Sequence, residues 1–194
     1  MCGFAGFFGE SLLHEVTESS LKAMTNAIAY RGPDSQGIWF DTVQKIALGH
    51  RRLAVVELSE AGAQPMLSGS SRFVIAFNGE IYNHLKLRID IESCSSPHTW
   101  RGHSDTETLL AGFDIWGIQR TVERTVGMFA FAVWDRHEQM LTLARDRLGE
   151  KPLYYGWQGS SSTAAFLFGS ELKALRAHPS FNAQINRDAL CLYM

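Results

Sequence analysis

Cysteine is scarce in this chain: Cys2, Cys94 and Cys191 are the three in 194 residues. They stand far apart and form no CxxC pair, so neither a disulfide framework nor a cysteine zinc site is indicated, and a reducing compartment fits. An excess of either charge is also lacking. Eighteen basic and twenty acidic side chains leave a formal charge of −2, which supplies no electrostatic footprint for nucleic acid or an anionic membrane. No run approaches the ~18 apolar residues of a membrane span. The apolar opening is too short, and lacks the basic flank, for a signal peptide. N-myristoylation wants glycine directly after the initiator, and here Gly3 follows Cys2. The expected address is the cytoplasm. No GxGxxG follows a strand and no GxxxxGK[ST] occurs, so the common phosphate loops are missing. Internal repeats, low-complexity tracts and long linkers are absent too.

What remains is a chain that is 45% hydrophobic, long enough for one domain with a sizeable core. FAGFFG, residues 4–9, reads as a buried strand whose glycines admit close neighbours. Ser19 or Ser20 is placed to cap a helix over LKAMTNAIA, with Leu21, Met24, Ala27 and Ile28 on one face. RGPDSQG is turn chemistry, and GIWF with KIAL predicts a short hairpin. RFVIAFNG, residues 72–79, is a strongly apolar strand ending in Asn-Gly, with a short helix over HLKLRI behind it and a loop over 93–103. DTETLLAGFDIWG begins a helix at Asp105 with acids in its first turn. GMFAFAVWD and QMLTLARD predict two strands around RHE, PLYYGW and AAFLFGS two more around GSSST, and SELKALRAHP a brief helix stopped by Pro179. Helices grouped between hairpins argue for antiparallel sheets with helices on their outer faces. The last segment, INRDALCLYM, starts a helix at Asn186 with no cap before Met194. It reads as a chain continuing into another domain.

Four short stretches could carry chemistry, and each has a plainer structural reading. Cys2 is either a small buried hydrophobe or a nucleophile uncovered by removal of Met1. In the second case one residue carries a thiol and an α-amine, whose reference pKa of about 7.7–8.0 lets it accept the thiol proton and return it to a leaving amine. FNGEIYN, residues 77–83, is a hairpin turn or an oxyanion hole built from the Asn78 amide and the Gly79 N–H, with the Glu80 carboxylate behind them. HRRLAVVEL, residues 50–58, is a solvated edge or places an arginine clamp for a carboxylate before an apolar strand. HSDTE, residues 103–107, is a helix cap with Ser104 or Asp105 at the start, or an acid that holds a substrate ammonium. Together, a terminal thiol, two oxyanion donors, an arginine and an acid suit an amino acid with a side-chain amide, namely glutamine. His98 and His103 lack clustered partners, and no metal site is expected.

In this order the segments MCGFAGFFG, YRGPDSQG, GHRRLAVVEL, AGAQPM, FNGEIYN, HSDTETLL, GMFAFAVWD, ARDRLGEKPLYYG and FGSELKAL resemble the class II glutamine amidotransferase domain of asparagine synthetases, a branch of the N-terminal-nucleophile (Ntn) hydrolases. HRRLAVVEL stands where related branches carry an HTRWATHG-like segment. The resemblance implies an α+β fold, a four-layer αββα sandwich of two antiparallel sheets. It implies Cys2 as nucleophile, Asn78 and Gly79 as oxyanion hole, and Arg52 as the carboxylate clamp. Asp105, assisted by Glu80, would bind the α-amino group, and Val55 would add backbone contacts. Residues 1–185 would form the glutaminase domain, and residues 186–194 would lead into a C-terminal synthetase domain. That domain would use ATP and magnesium; the glutaminase half would need neither. No SGGxDS-type loop for the ATP chemistry occurs in the chain. Glutamine is the expected substrate, and a homodimer and the identity of the acceptor are left open. The alternative is a catalytically silent scaffold of the same fold, kept for docking or regulation.

Overall fold

The computed structural model of the chain describes residues 1–9, 14–94, 99–159, 164–184 and 187–193. Its framework is two antiparallel sheets. The first contains β1 (Gly3–Phe8), β2 (Ser35–Asp41), β3 (Ile46–Arg52), β8 (Tyr154–Gln158) and β9 (Ala165–Gly169), in the order β2-β3-β1-β9-β8. The second contains β4 (Met66–Leu67), β5 (Phe73–Ile81), β6 (Gly127–Asp135) and β7 (Met140–Arg145), in sequence order. The helices are α1 (His14–Ala27), α2 (His84–Cys94), α3 (Asp105–Trp116), α4 (Ile118–Arg124), α5 (Leu172–Arg176) and α6 (Arg187–Tyr193).

Side-chain alternation along the strands builds the layers. In β1, Phe4 and Phe8 face the other sheet while Ala5 and Phe7 face outward; in β5, Val74 and Ala76 face inward while Phe73, Ile75 and Phe77 face outward. The space between the sheets is filled by Phe4, Leu48 and Phe168 from one side and Ala132 and Trp134 from the other. Leu21, Met24 and Ile28 of α1 and Leu175 of α5 cover the first sheet. Leu87 of α2 and Leu109, Leu110 and Phe113 of α3 cover the second. The result is the four-layer αββα sandwich. Phe131, fully buried in the outer core of the second sheet, represents the side chains that hold it; truncating such a residue to alanine typically costs about 3–5 kcal/mol. Among the described residues, no helix is long and apolar enough to cross a membrane.

Several local expectations changed. α1 already begins at His14, so Ser19 and Ser20 lie inside it and do not cap it. β5 does not end at the Asn-Gly pair; it runs to Ile81 because β6 pairs with it throughout, Asn78 opposite Ala130 and Gly79 opposite Phe129. A side chain at position 79 would meet the Met128 carbonyl oxygen at 2.3 Å, so glycine is what allows this crossing. α2 is longer than HLKLRI, and α4 was not foreseen. β3 stops at Arg52, and Val55 lies in a loop with 72% of its surface exposed. No strand is available beyond that point, since β1 begins at Gly3 opposite Arg51 and the next donors turn aside, Leu53 N–H to Cys2 Sγ and Ala54 N–H to Asp34. The start of α3 stands as expected: Asp105 is its first residue, and the Ser104 hydroxyl accepts from Thr106 N–H at 3.1 Å. His98, the helix start at Asn186 and most of GSSST lie outside the described residues.

Candidate active site

The edge of β5 explains why a site exists here. N–H groups on alternate residues of a strand point to the same side. Those of Phe73, Phe77 and Ile81 point away from β6 and find side-chain acceptors: Ser68 Oγ at 3.2 Å, Gln64 Oε1 at 2.7 Å and Asp105 Oδ2 at 2.9 Å. Gly79 belongs to the same series, so its N–H points the same way. Neighbouring β4 is only two residues long and pairs with Ile75 and Val74, short of that position. An uncovered stretch of strand edge is thereby left facing a cavity of about 180 Å³.

Cys2, Arg52, Val55, Asn78, Gly79, Glu80 and Asp105 all line this one cavity. Their elements come from both sheets. Cys2 precedes β1, and its half-buried thiol is fixed against the chain after β3: Sγ donates to Leu53 O at 3.4 Å and accepts from Leu53 N–H at 3.3 Å. Asn78 is 1% exposed, and its Nδ2 has no hydrogen-bond partner among the described residues. A buried amide donor without a partner costs about 1–3 kcal/mol, and such exceptions in a native fold ask for an explanation. Beneath the two donors, His50 bridges the sheets through Nε2 to Phe77 O at 2.9 Å. Burial outweighs that bond and holds the imidazole pKa down at about 4, so the ring is neutral.

Charged groups line the same cavity. Arg52 is buried, with its guanidinium donating to the Glu57 carbonyl oxygen. The Glu57 carboxylate ties its loop to the neighbouring one by accepting from His103 N–H at 2.8 Å and from Ser59. These bonds, His103 first, hold its pKa down at about 2. Asp105 is displaced the other way. Burial raises its pKa, although Ile81 N–H and Thr106 N–H favour the carboxylate. Glu80 is exposed at the rim. The cavity lining thus offers a thiol, the Asn78 amide and Gly79 N–H donors, a guanidinium and carboxylates. Among the described residues, no cluster of three or more His, Cys, Asp or Glu could hold a metal ion. Cys94 and Cys191 are exposed, outside the cavity lining.

Sequence reasoning missed two residues. Arg31, in a segment read only as turn chemistry, donates through Nε to the Cys2 carbonyl oxygen at 3.0 Å and pairs with Glu171 at 2.7 Å, holding the chain terminus from behind. Gly3 leaves room for this clasp, because a Cβ there would lie 2.9 Å from Arg31 Cδ. Lys151 also lines the cavity and is only 6% exposed. A buried lysine is uncommon enough to be a signal, but nothing in a linear sequence marks it as buried.

Comparison with known proteins identifies the family and the fold. The family model described as a glutamine amidotransferase domain matches residues 1–194. Asparagine synthetase [glutamine-hydrolyzing] 3 of Bacillus subtilis is 40% identical over 194 residues, covering 98% of this chain and 30% of the relative. A putative asparagine synthetase [glutamine-hydrolyzing] 2 of Methanocaldococcus jannaschii is 36% identical over 213 residues, covering all of this chain and 39% of the relative. The chain therefore spans only about a third of the length of these relatives. Among solved structures, glutamine phosphoribosylpyrophosphate amidotransferase from B. subtilis superposes with a TM-score of 0.72 at 22% identity, over 91% of this chain and 43% of that one. That likeness concerns the fold, an Ntn amidotransferase sandwich.

Proposed function

The chain belongs to the class II glutamine amidotransferase domain family, related to the N-terminal domains of asparagine synthetases, and from that premise we propose that its cavity is a glutaminase centre with Cys2 as nucleophile. The observation that carries the reading is the unpartnered, buried Asn78 Nδ2 in the same cavity as the Cys2 thiol. A donor left unpaired in the resting state can meet an oxyanion that exists only during reaction, which is the condition for lowering a barrier.

The steps follow from the groups at hand. With Met1 removed, the α-amine of Cys2 accepts the thiol proton, and Sγ attacks the side-chain amide carbon of glutamine. The oxyanion is met by Asn78 Nδ2 and Gly79 N–H. The amine then gives its proton to the leaving nitrogen, ammonia departs, and a γ-glutamyl thioester remains. Water, deprotonated by the same amine, hydrolyses the thioester to glutamate. Arg52 holds the substrate α-carboxylate, exchanging its bond to Glu57 O for one to the ligand. Asp105 holds the α-ammonium with help from Glu80, and the loop at Val55 supplies main-chain contacts. This half-reaction uses no metal or cofactor. Ammonia is destined for an asparagine synthetase-like domain that activates a carboxylate with ATP and magnesium.

The second reading, a silent scaffold, rests on Met1 itself. With Met1 in place, its side chain lines the cavity and its sulfur meets Lys151 Nζ at 3.3 Å. A chain that kept Met1 would lack the amine base. Intact mass and a glutamate-release assay separate the two. Loss of Met1 with covalent labelling of Cys2 by an electrophilic glutamine analogue supports the enzyme. A processed, folded protein that neither labels nor releases glutamate overturns it.

A further inference from the structure

Lys151 is a buried cation in the cavity lining. No ion pair among the described residues includes it. The hydrogen bond made by its ammonium goes to a thioether, Met1 Sδ, a weak acceptor. Its main chain is held firmly: Lys151 N–H donates to Asp146 Oδ2 at 3.0 Å, and Lys151 O accepts from Arg145 Nε at 2.6 Å. Glu150, its neighbour in sequence, is exposed and forms no ion pair with it among the described residues, and Asp146 is occupied by the N–H groups of Phe129, Leu148, Glu150 and Lys151. A buried charge without a partner is costly, and its position beside the terminus needs a reason.

We infer that Lys151 sets the protonation of the Cys2 α-amine, keeping it neutral and therefore basic at neutral pH. This rests on the glutaminase reading for its consequence, though not for its electrostatics. From Met1 Sδ through the Met1 backbone to the Cys2 nitrogen is roughly 6 Å of covalent chain at full extension. With the 3.3 Å contact, the ammonium lies within about 10 Å of that nitrogen. When Met1 leaves, the thioether leaves with it, and the new amine opens into a cavity that Lys151 lines, with the lysine's main chain held by Asp146 and Arg145. A like charge at this range disfavours the ammonium form of the amine. In a partly buried site the effect is about half to one pH unit.

The other charged groups around the amine come from several elements. Arg52 at the end of β3 acts in the same direction as Lys151, while Arg31 on the Cys2 carbonyl is paired with Glu171; the carboxylates of Glu57, Glu80 and Asp105 in the cavity, and of Asp146 and Glu150 beside Lys151, oppose it. Lys151 therefore acts through the amine as a positioning residue and touches no reacting atom.

The test compares processed wild-type protein with Lys151→Met, Lys151→Gln and Lys151→Arg, each checked by intact mass for loss of Met1. Two quantities are read: the pH profile of kcat/KM for glutamate release, and the titration of the amine followed by NMR of the 13C-labelled Cys2 Cα without substrate. In both neutral variants the amine titration and the acid limb move to higher pH by about half to one unit. At pH 6 this is roughly a 3–10-fold loss of kcat/KM that fades by pH 8.5, while the arginine variant stays with wild type. If Lys151→Met fails to fold, Lys151→Gln carries the comparison. Coincident amine titrations in wild type and the folded neutral variants overturn the inference. A shifted titration in a protein that releases no glutamate overturns the glutaminase reading and leaves the electrostatic one standing.

Discussion

Replacing Asn78 by alanine should separate function from stability. Asn78 is 1% exposed and its Nδ2 is unpaired, so the folded protein already bears a desolvation cost of about 1–3 kcal/mol for that donor. Alanine removes the donor and its cost together, and leaves a small void that offsets part of the relief. The melting temperature should therefore hold or rise. A net relief of about 1 kcal/mol corresponds to roughly 2–4 °C in a protein of this size. Catalysis should move the other way. Loss of one oxyanion donor typically costs about 2.7–4 kcal/mol of transition-state stabilisation, a 10²–10³-fold fall in kcat. KM should change little, because the bond forms only as the carbonyl becomes an oxyanion. Glutamate release and differential scanning calorimetry on the same processed sample give both numbers. A kcat within tenfold of wild type would refute the oxyanion assignment. A melting temperature lowered by 5 °C or more would show that Asn78 is a structural residue with a hidden partner.

Cys2→Ala should abolish glutamate release while leaving the circular dichroism spectrum unchanged; residual release above background would exclude Cys2 as nucleophile. Arg52→Lys removes a planar donor pair and keeps the charge. It should weaken glutamine mainly through KM, by roughly 10–100-fold, and an unchanged KM would place the substrate carboxylate elsewhere. His50 predicts a pH dependence of folding. Its pKa falls from 6.5 to about 4 on burial, so between those values the unfolded chain binds the proton that the folded chain refuses. The stability is fully present above pH 6.5 and is lost as pH falls toward 4, by up to about 3 kcal/mol. Urea midpoints should show this loss, and His50→Gln should reduce it, leaving the share of His178, whose pKa burial also lowers to about 4; equal slopes in both proteins would contradict the assignment.

The candidate residues that line the cavity were legible in the sequence because their types are unusual in combination. A cysteine directly after the initiator, Asn-Gly at the end of an apolar run, and acids in the first turn of a helix each need only neighbours in sequence to be noticed. Strands with period-two patterning, such as GMFAFAVWD, were equally plain. Weaker were the boundaries that tertiary contacts move. Asn-Gly reads as a turn by local preference, and only a partner strand running alongside to Gly127 keeps β5 straight through it. Leu53–Glu57 reads as a continued strand, yet no neighbour remains to pair with it, and Leu53 serves the Cys2 thiol instead.

By itself the sequence determined which side chains were available, their periodicity and the family's ordered motifs. Tertiary structure alone decided that Cys2 and Leu53, 51 residues apart, should touch, that the Gly79 N–H should look into a cavity, and that Lys151 should lie buried against residue 1. Local preferences act over a few residues. Which strand edge stays open, and which charge loses its water, depend on how the two sheets close on each other.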